Sequence, residues 1–136
     1  MSEPFIIIDG NEGAKNLIFA TWLRSYEASS LAAKNIPRDL FFAEHHKVID
    51  GIFRRGATVK LAVLPDEPDV VLGWSVNTDD AVHYVYVKPA FRRHGIATKM
   101  LAHVPRPFVY THWTYPLRDL YAQLEGCVFN PYQVHR

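Results

Sequence analysis

One cysteine, Cys127, stands in 136 residues, so no disulfide can form within the chain and a reducing compartment is expected. Long apolar runs are missing too. Asp9, Arg24, Asp50 and similar charges break every hydrophobic region, well short of the ~20 residues a membrane-spanning helix needs. Neither sign of charge dominates: 15 Lys+Arg against 14 Asp+Glu leave a net +1, despite local basic points at Arg54, Arg55, Arg92 and Arg93. Such a chain has no overall pull toward phosphate polymers. Neither nucleic acid nor a membrane is therefore expected as a partner. The opening residues MSEPFIIIDGNEG lack the basic start and long apolar stretch of a signal peptide, so a cytoplasmic location is expected. Repeats, low-complexity tracts and Gly/Ser linkers are absent as well.

What remains is a chain with 49% hydrophobic residues, long enough to hide roughly two-thirds of its unfolded surface. A single domain over residues 1–136 is expected. Phe5 to Ile8 reads as a strand, after which Asp9 or Asn11 caps a helix carrying Ala14, Leu17, Ile18, Trp22 and Tyr26 and ending near Ser29. Pro37 suits the first turn of a second helix, whose stripe Phe41, Phe42, Val48, Ile49, Ile52, Phe53 stops before Gly56. The period then changes. Thr58 to Leu64 and Val70 to Asn77 read as hairpin strands, and Ala81 to Val87 as a third, with Val82, Tyr84 and Tyr86 on one face and His83, Val85 and Val87 on the other. Gly95 to Val104 is helical until Pro105, Phe108 to Trp113 a strand, Leu117 to Glu125 a helix, and Cys127 to Val134 a strand broken at Pro131. The order β-α-α-β-β-β-α-β-α-β describes an α+β fold of the three-layer α/β type.

The most informative segment runs from Val85 to Thr98, a strand that turns into a helix through the basic loop Arg92-Arg93-His94-Gly95. At a helix start the first backbone N–H groups have no internal partners and the helix dipole adds positive charge, so such a turn suits an anion. Gly95 permits positive φ or a close approach, Ala97 keeps the start uncrowded, and Thr98 offers a hydroxyl. A Walker-type nucleotide loop is excluded because no G-x-x-x-x-G-K-[S/T] is present.

Arg92-Arg93-His94-Gly95-Ile96-Ala97 matches [Q/R]-x-x-G-x-[G/A], and Val85-Tyr86-Val87-Lys88-Pro89 precedes it as a strand ending. Here the sequence resembles the GCN5-related N-acetyltransferase superfamily, and its order of elements resembles that family across essentially all residues. The resemblance implies a mixed, mostly antiparallel sheet flanked by helices, splayed between strands four and five. It implies acetyl-CoA as co-substrate, with no metal. Amides from Arg93 to Thr98 would hold the pyrophosphate, with Arg92 and Ile96 in the same loop, while the main chain of Val85, Tyr86 and Val87 would pair with the pantetheine arm like an added strand. The implied activity is acetyl transfer to a primary amine, of a small molecule or a peptide, by direct attack in a ternary complex. A catalytically silent acyl-CoA-binding module is the alternative, and a homodimer stays open.

Such a transfer needs a neutral amine and a proton for the departing thiolate. Histidine is the residue type whose ordinary pKa lies nearest neutrality, so His83 on the fourth strand is the candidate base; a packed strand histidine is the equal alternative. The glutamate that family members often carry here corresponds to Ala81, so Asp79 and Asp80 are further candidates. Tyr121 corresponds to the family's thiolate-protonating tyrosine, although Tyr121-Ala-Gln-Leu-Glu-Gly126-Cys127 is one residue longer than the usual spacing, which leaves Tyr115 open. The resemblance places the acceptor against the first two helices, making Trp22 and Tyr26 substrate-binding candidates, with core packing the stronger role for Trp22. Cys127 reads as structural. His45, His46, His103 and His112 show no ligand spacing, so no metal is expected.

Overall fold

The computed structural model describes residues 4–135. Strand β1 (Ile6–Asp9) leads into a 3-10 turn at Glu12–Ala14 and then into α1 (Lys15–Ser29). Asn11 caps the turn rather than the helix: its Oδ1 accepts the Gly13 N–H at 2.9 Å, and Ala14 at the helix start makes no side-chain bond. A short α2 (Leu31–Lys34), too brief to carry a helical stripe, precedes α3 (Arg38–Arg54). α3 follows Pro37 as expected, since that ring fixes φ at the helix entrance and has no N–H to lose.

Strands β2 (Thr58–Val63), β3 (Val71–Thr78) and β4 (Ala81–Val87) continue the antiparallel meander begun by β1. After α4 (Ile96–Met100) come β5 (Val109–Tyr110), α5 (Arg118–Ala122) and β6 (Val128–Phe129), and β4–β5 and β5–β6 pair in parallel. The sheet has six strands in the order β1-β2-β3-β4-β5-β6. The mixed, mostly antiparallel sheet is thus present, with its later elements shorter than the sequence pattern suggests. The strand expected over Phe108 to Trp113 contracts to two residues, and Pro131 opens a 3-10 helix (Pro131–His135) where further strand was expected. Among the described residues no helix is long and apolar enough to cross a membrane.

Each face of the sheet carries its own core. Ile18, Trp22, Ile49, Ile52, Trp74, Val76 and Tyr84 pack together on the side of α1 and α3. Val82, Val85, Val87, Ile96, Met100, Leu117 and Tyr121 pack on the side of α4 and α5. Helices on both faces give the expected three layers. The face assignment within β4 differs from the simple alternation: Val82 shares a face with Val85 and Val87, and Tyr84 lies on the other. The cause is a bulge. Val76 pairs with Tyr84 and Asn77 with Val82, so His83 has no partner in the register. An extra residue of this kind turns its side chain out of the alternating pattern.

Candidate active site

β4 and β5 touch at one position. Val82 pairs with Tyr110, and the Thr111 N–H donates to the Val82 carbonyl at 3.1 Å. Past that point the chain after β5 turns away into a 3-10 turn at Tyr115–Leu117, where Pro116 cannot donate to a ladder. A cleft of about 450 Å³ opens between the two. Consecutive residues Tyr84, Val85, Tyr86 and Val87 all line it, because β4 bounds it with its edge rather than with one face. The opposite wall is Thr114 to Leu120, and Ser25 and Ser29 of α1 close one end.

The other end is the glycine-bearing loop. Arg92, Arg93, Gly95, Ile96, Ala97 and Thr98 line the cleft. Two loop residues are left-handed, Arg93 at φ 67° and Gly95 at φ 80°. A left-handed arginine costs on the order of 1–2 kcal/mol, and strain of that kind persists where the surrounding structure holds it. No protein atom lies within 4 Å of a Cβ built on Gly95, so its outer side is open. Of the loop residues expected at the cofactor, His94 does not line the cleft: its Nδ1 donates to the Arg92 carbonyl at 2.8 Å. The Val87 carbonyl, expected to meet a ligand, already accepts Arg92 Nε at 2.9 Å. That bond fixes the guanidinium against the strand end. Arg118 adds a third cation to the lining and Asp119 one carboxylate.

The catalytic candidates separate. Tyr121 is not among the residues that line the cleft: it packs on Tyr110 with ring centroids 4.0 Å apart, in the core cluster that also holds the cleft residues Val85, Val87 and Leu117. Its hydroxyl is buried without a hydrogen-bond partner, and burial raises its pKa far above the ordinary tyrosine value. It holds a proton with nothing bound to it. Tyr115 is the half-exposed tyrosine of the opposite wall.

His83 does not reach the cleft. The bulge sends its ring between two threonines, with Nε2 2.8 Å from Thr78 Oγ1 and Nδ1 3.0 Å from Thr111 Oγ1. Burial lowers its pKa to about 4. Asp80 is likewise engaged, by Thr78 and by Gln133.

Trp22 is fully buried against Trp74 and Tyr84, a core residue rather than part of the cleft wall. Tyr26 also stands behind the wall, its ring 6.0 Å from that of Tyr84. The side chains at that end are Ser25, Ser29 and Tyr84, with Ser25 Oγ 2.8 Å from the Tyr84 hydroxyl. On α1 Ser25 and Ser29 continue the face of Ile18 and Trp22 at i+7 and i+11, so the same sheet-facing stripe that carries the core ends in two hydroxyls at the cleft. Tyr84 was hidden by its place in an apolar strand. Cys127 Sγ accepts the Phe108 N–H at 3.4 Å, a structural contact.

The family model for ESCO1/2 acetyl-transferase matches residues 78–118, from the end of β3 through the loop to the far wall of the cleft. Among solved structures, a candidate acetyl transferase from Pyrococcus furiosus superposes with a TM-score of 0.55 at 14% identity, covering 91% of this chain and 79% of that one. A candidate acetyltransferase from Clostridium difficile 630 superposes with a TM-score of 0.50 at 12% identity, covering 94% and 80%. The fold is that of the GCN5-related N-acetyltransferase superfamily. A superposition on yncA, a candidate acetyltransferase from Salmonella typhimurium with its cofactor acetyl-CoA, gives a TM-score of 0.47 at 18% identity and covers 75% of this chain and 61% of that one. No curated protein sequence matches the chain. Within the acetyltransferase fold, the segment that departs from regular pairing is also the segment that the family model recognises.

Proposed function

We propose that the chain is an acetyl-CoA-dependent N-acetyltransferase that acts on a primary amine by direct attack in a ternary complex. The observation that carries this reading is the cleft where β4 and β5 part, with an unpaired strand edge along one side and a cationic, left-handed loop at one end. The residues present fit the co-substrate on two further counts. Gly95 faces open space, so a diphosphate can approach the amides from Arg93 to Thr98. The Tyr121 hydroxyl has no protein partner, which leaves it a donor to spare.

In this reading Arg92 and Arg93 neutralise phosphate charge, and the main chain of Val85 and Val87 receives the extended arm by strand addition, with the Val87 N–H rather than its carbonyl available. Acetyl-CoA, when bound, supplies an activated acyl group. Tyr121, kept protonated by its apolar setting, gives its proton to the leaving sulfur. The acceptor enters at the end closed by Ser25, Ser29 and Tyr84, with Tyr26 and Trp22 as the aromatic layer behind them.

One observation favours a silent acyl-CoA-binding module instead: no histidine lines the cleft among the described residues, and Asp119 is its one carboxylate. An assay of free CoA thiol release with a panel of primary amines separates the two. Turnover that falls in Tyr121→Phe supports the enzyme. Saturable CoA binding with no turnover on any amine supports the module.

A further inference from the structure

The cationic end of the cleft holds one residue in a conformation that its side chain disfavours. Arg93 is left-handed at φ 67°, where glycine sits freely and a residue with a Cβ does not. The chain on either side of it is anchored. Arg92 Nε donates to the Val87 carbonyl at 2.9 Å, and the Phe91 N–H donates to the Lys88 carbonyl at 2.9 Å. Beyond the turn, the Gly95 carbonyl accepts the Lys99 N–H at 3.1 Å as α4 begins. Arg93 and His94 span the stretch between these anchors.

His94 closes that stretch with its own side chain. Its Nδ1 lies 2.8 Å from the Arg92 carbonyl oxygen and 3.3 Å from that of Phe91. A carbonyl only accepts, so Nδ1 carries the hydrogen and shares it between the two, chiefly with the nearer. The neutral ring is thereby fixed as its Nδ1–H tautomer. The loop of atoms closed by the shorter bond runs through the main chain of His94 and Arg93 back to the Arg92 carbonyl, so it contains both φ and ψ of Arg93. A return of Arg93 to right-handed backbone turns the intervening peptide and breaks the bond.

The imidazole itself is exposed and stands outside the cleft, whereas Arg93 before it and Gly95 after it both line the cleft. Any effect of His94 on a ligand therefore passes through the backbone of its neighbours.

We propose that His94 is a positioning residue for the co-substrate: its Nδ1–H bond to the Arg92 carbonyl keeps Arg93 left-handed and so holds the loop in the shape that receives the CoA diphosphate. The proposal rests on the acetyl-transfer reading above. Without the bond the loop visits right-handed states at Arg93, and CoA binds in proportion to the fraction that stays left-handed. One net hydrogen bond is worth up to about tenfold in such an equilibrium.

Calorimetric titration of the purified chain with CoA tests this in a double-mutant cycle. His94→Phe keeps a ring and loses the donor. It is expected to weaken CoA binding by up to about tenfold, raising KM for acetyl-CoA while kcat and KM for the amine stay at the wild-type values. His94→Asn, whose side-chain amide nitrogen takes the place of Nδ1, is expected to bind within about twofold of wild type. In the Arg93→Gly background left-handed backbone carries no penalty, so the same His94→Phe change is expected to cost no more than about threefold, and less than it costs beside Arg93. Equal losses in the two backgrounds, or wild-type affinity in His94→Phe, overturn the proposal. Nitrogen-15 NMR of histidine-labelled protein reads the clamp without any ligand: His94 is expected as Nδ1–H when neutral, and an Nε2–H ring overturns it. A wild-type chain that binds no CoA defeats the co-substrate reading, while the ring tautomer and the same cycle read on urea midpoints still decide whether His94 holds Arg93.

Discussion

The Thr111 N–H donates to the Val82 carbonyl at 3.1 Å, and the β4–β5 register extends no further than the adjoining Val82–Tyr110 pair. One ladder position therefore sets where the sheet divides and where the cleft begins. Beneath it His83 ties Thr78 of β3 to Thr111, so the vertex of the cleft is pinned by side chains as well as by backbone.

The Tyr121 hydroxyl separates stability from activity. A buried hydroxyl without a partner costs stability, so Tyr121→Phe is expected to unfold at equal or higher denaturant, with a gain of up to about 1 kcal/mol. Acetyl transfer is expected to fall by about 100-fold, the scale of a lost general acid. Urea unfolding beside a thiol-release assay reads both. A variant that loses stability and keeps its rate contradicts the role.

Gly95 sits at φ 80° with no protein atom within 4 Å of a Cβ. Gly95→Ala is expected to cost about 1–2 kcal/mol through backbone conformation alone, and Gly95→Asn less. Gly95→Glu is expected to add a loss of CoA affinity beyond that of Ala, since its charge and bulk meet the ligand. Equal CoA affinity in Ala and Glu variants would argue against a phosphate at this loop.

Much of this was legible in the chain. Alternation and turn residues place β2, β3 and β4, Pro37 and Gly56 bracket α3, and the loop motif marks the basic end of the cleft. The bonds of His83 to Thr78 and Thr111 were not, because these residues meet only when β3, β4 and the segment after β5 pack, and nothing in their spacing links them. His83 was misplaced for a local reason: period two assumes no bulge, and the bulge opposite Val76 and Asn77 leaves no mark in the residues of β4. Trp22 shows the reverse, since its helical spacing with Ile18 already announced a core residue, and the structure buries it fully.

Acid should unfold the protein through these histidines. Burial lowers His45 and His83 to about 4 and lowers His112 well below the usual value, whereas the unfolded chain titrates near 6.5. Between those values the unfolded state binds protons that the native state refuses, so stability is greatest above about pH 6.5 and falls as the pH drops toward about 4. The slope should reach up to about 1.4 kcal/mol per pH unit for each histidine. Urea midpoints measured from pH 7 to pH 4 check this, and His83→Gln should flatten the curve. A flat wild-type profile would mean the histidines are not buried neutral.

Gly73 tests the wall of the cleft. A Cβ there would lie 2.6 Å from the Tyr86 carbonyl and 3.2 Å from Val87 Cα, both backbone atoms that cannot swing aside. Gly73→Ala is expected to cost about 1–3 kcal/mol and to weaken CoA binding, because β4 must shift at Tyr86 and Val87. Wild-type stability and affinity in this variant would show that the strand edge tolerates displacement.

Calorimetric titration of the purified chain with acetyl-CoA tests the central claim most directly. One saturable site per chain is predicted, weakened by Gly95→Glu and by Arg92→Ala. A wild-type titration without binding heat at several temperatures would contradict the assignment of the β4–β5 cleft to the co-substrate.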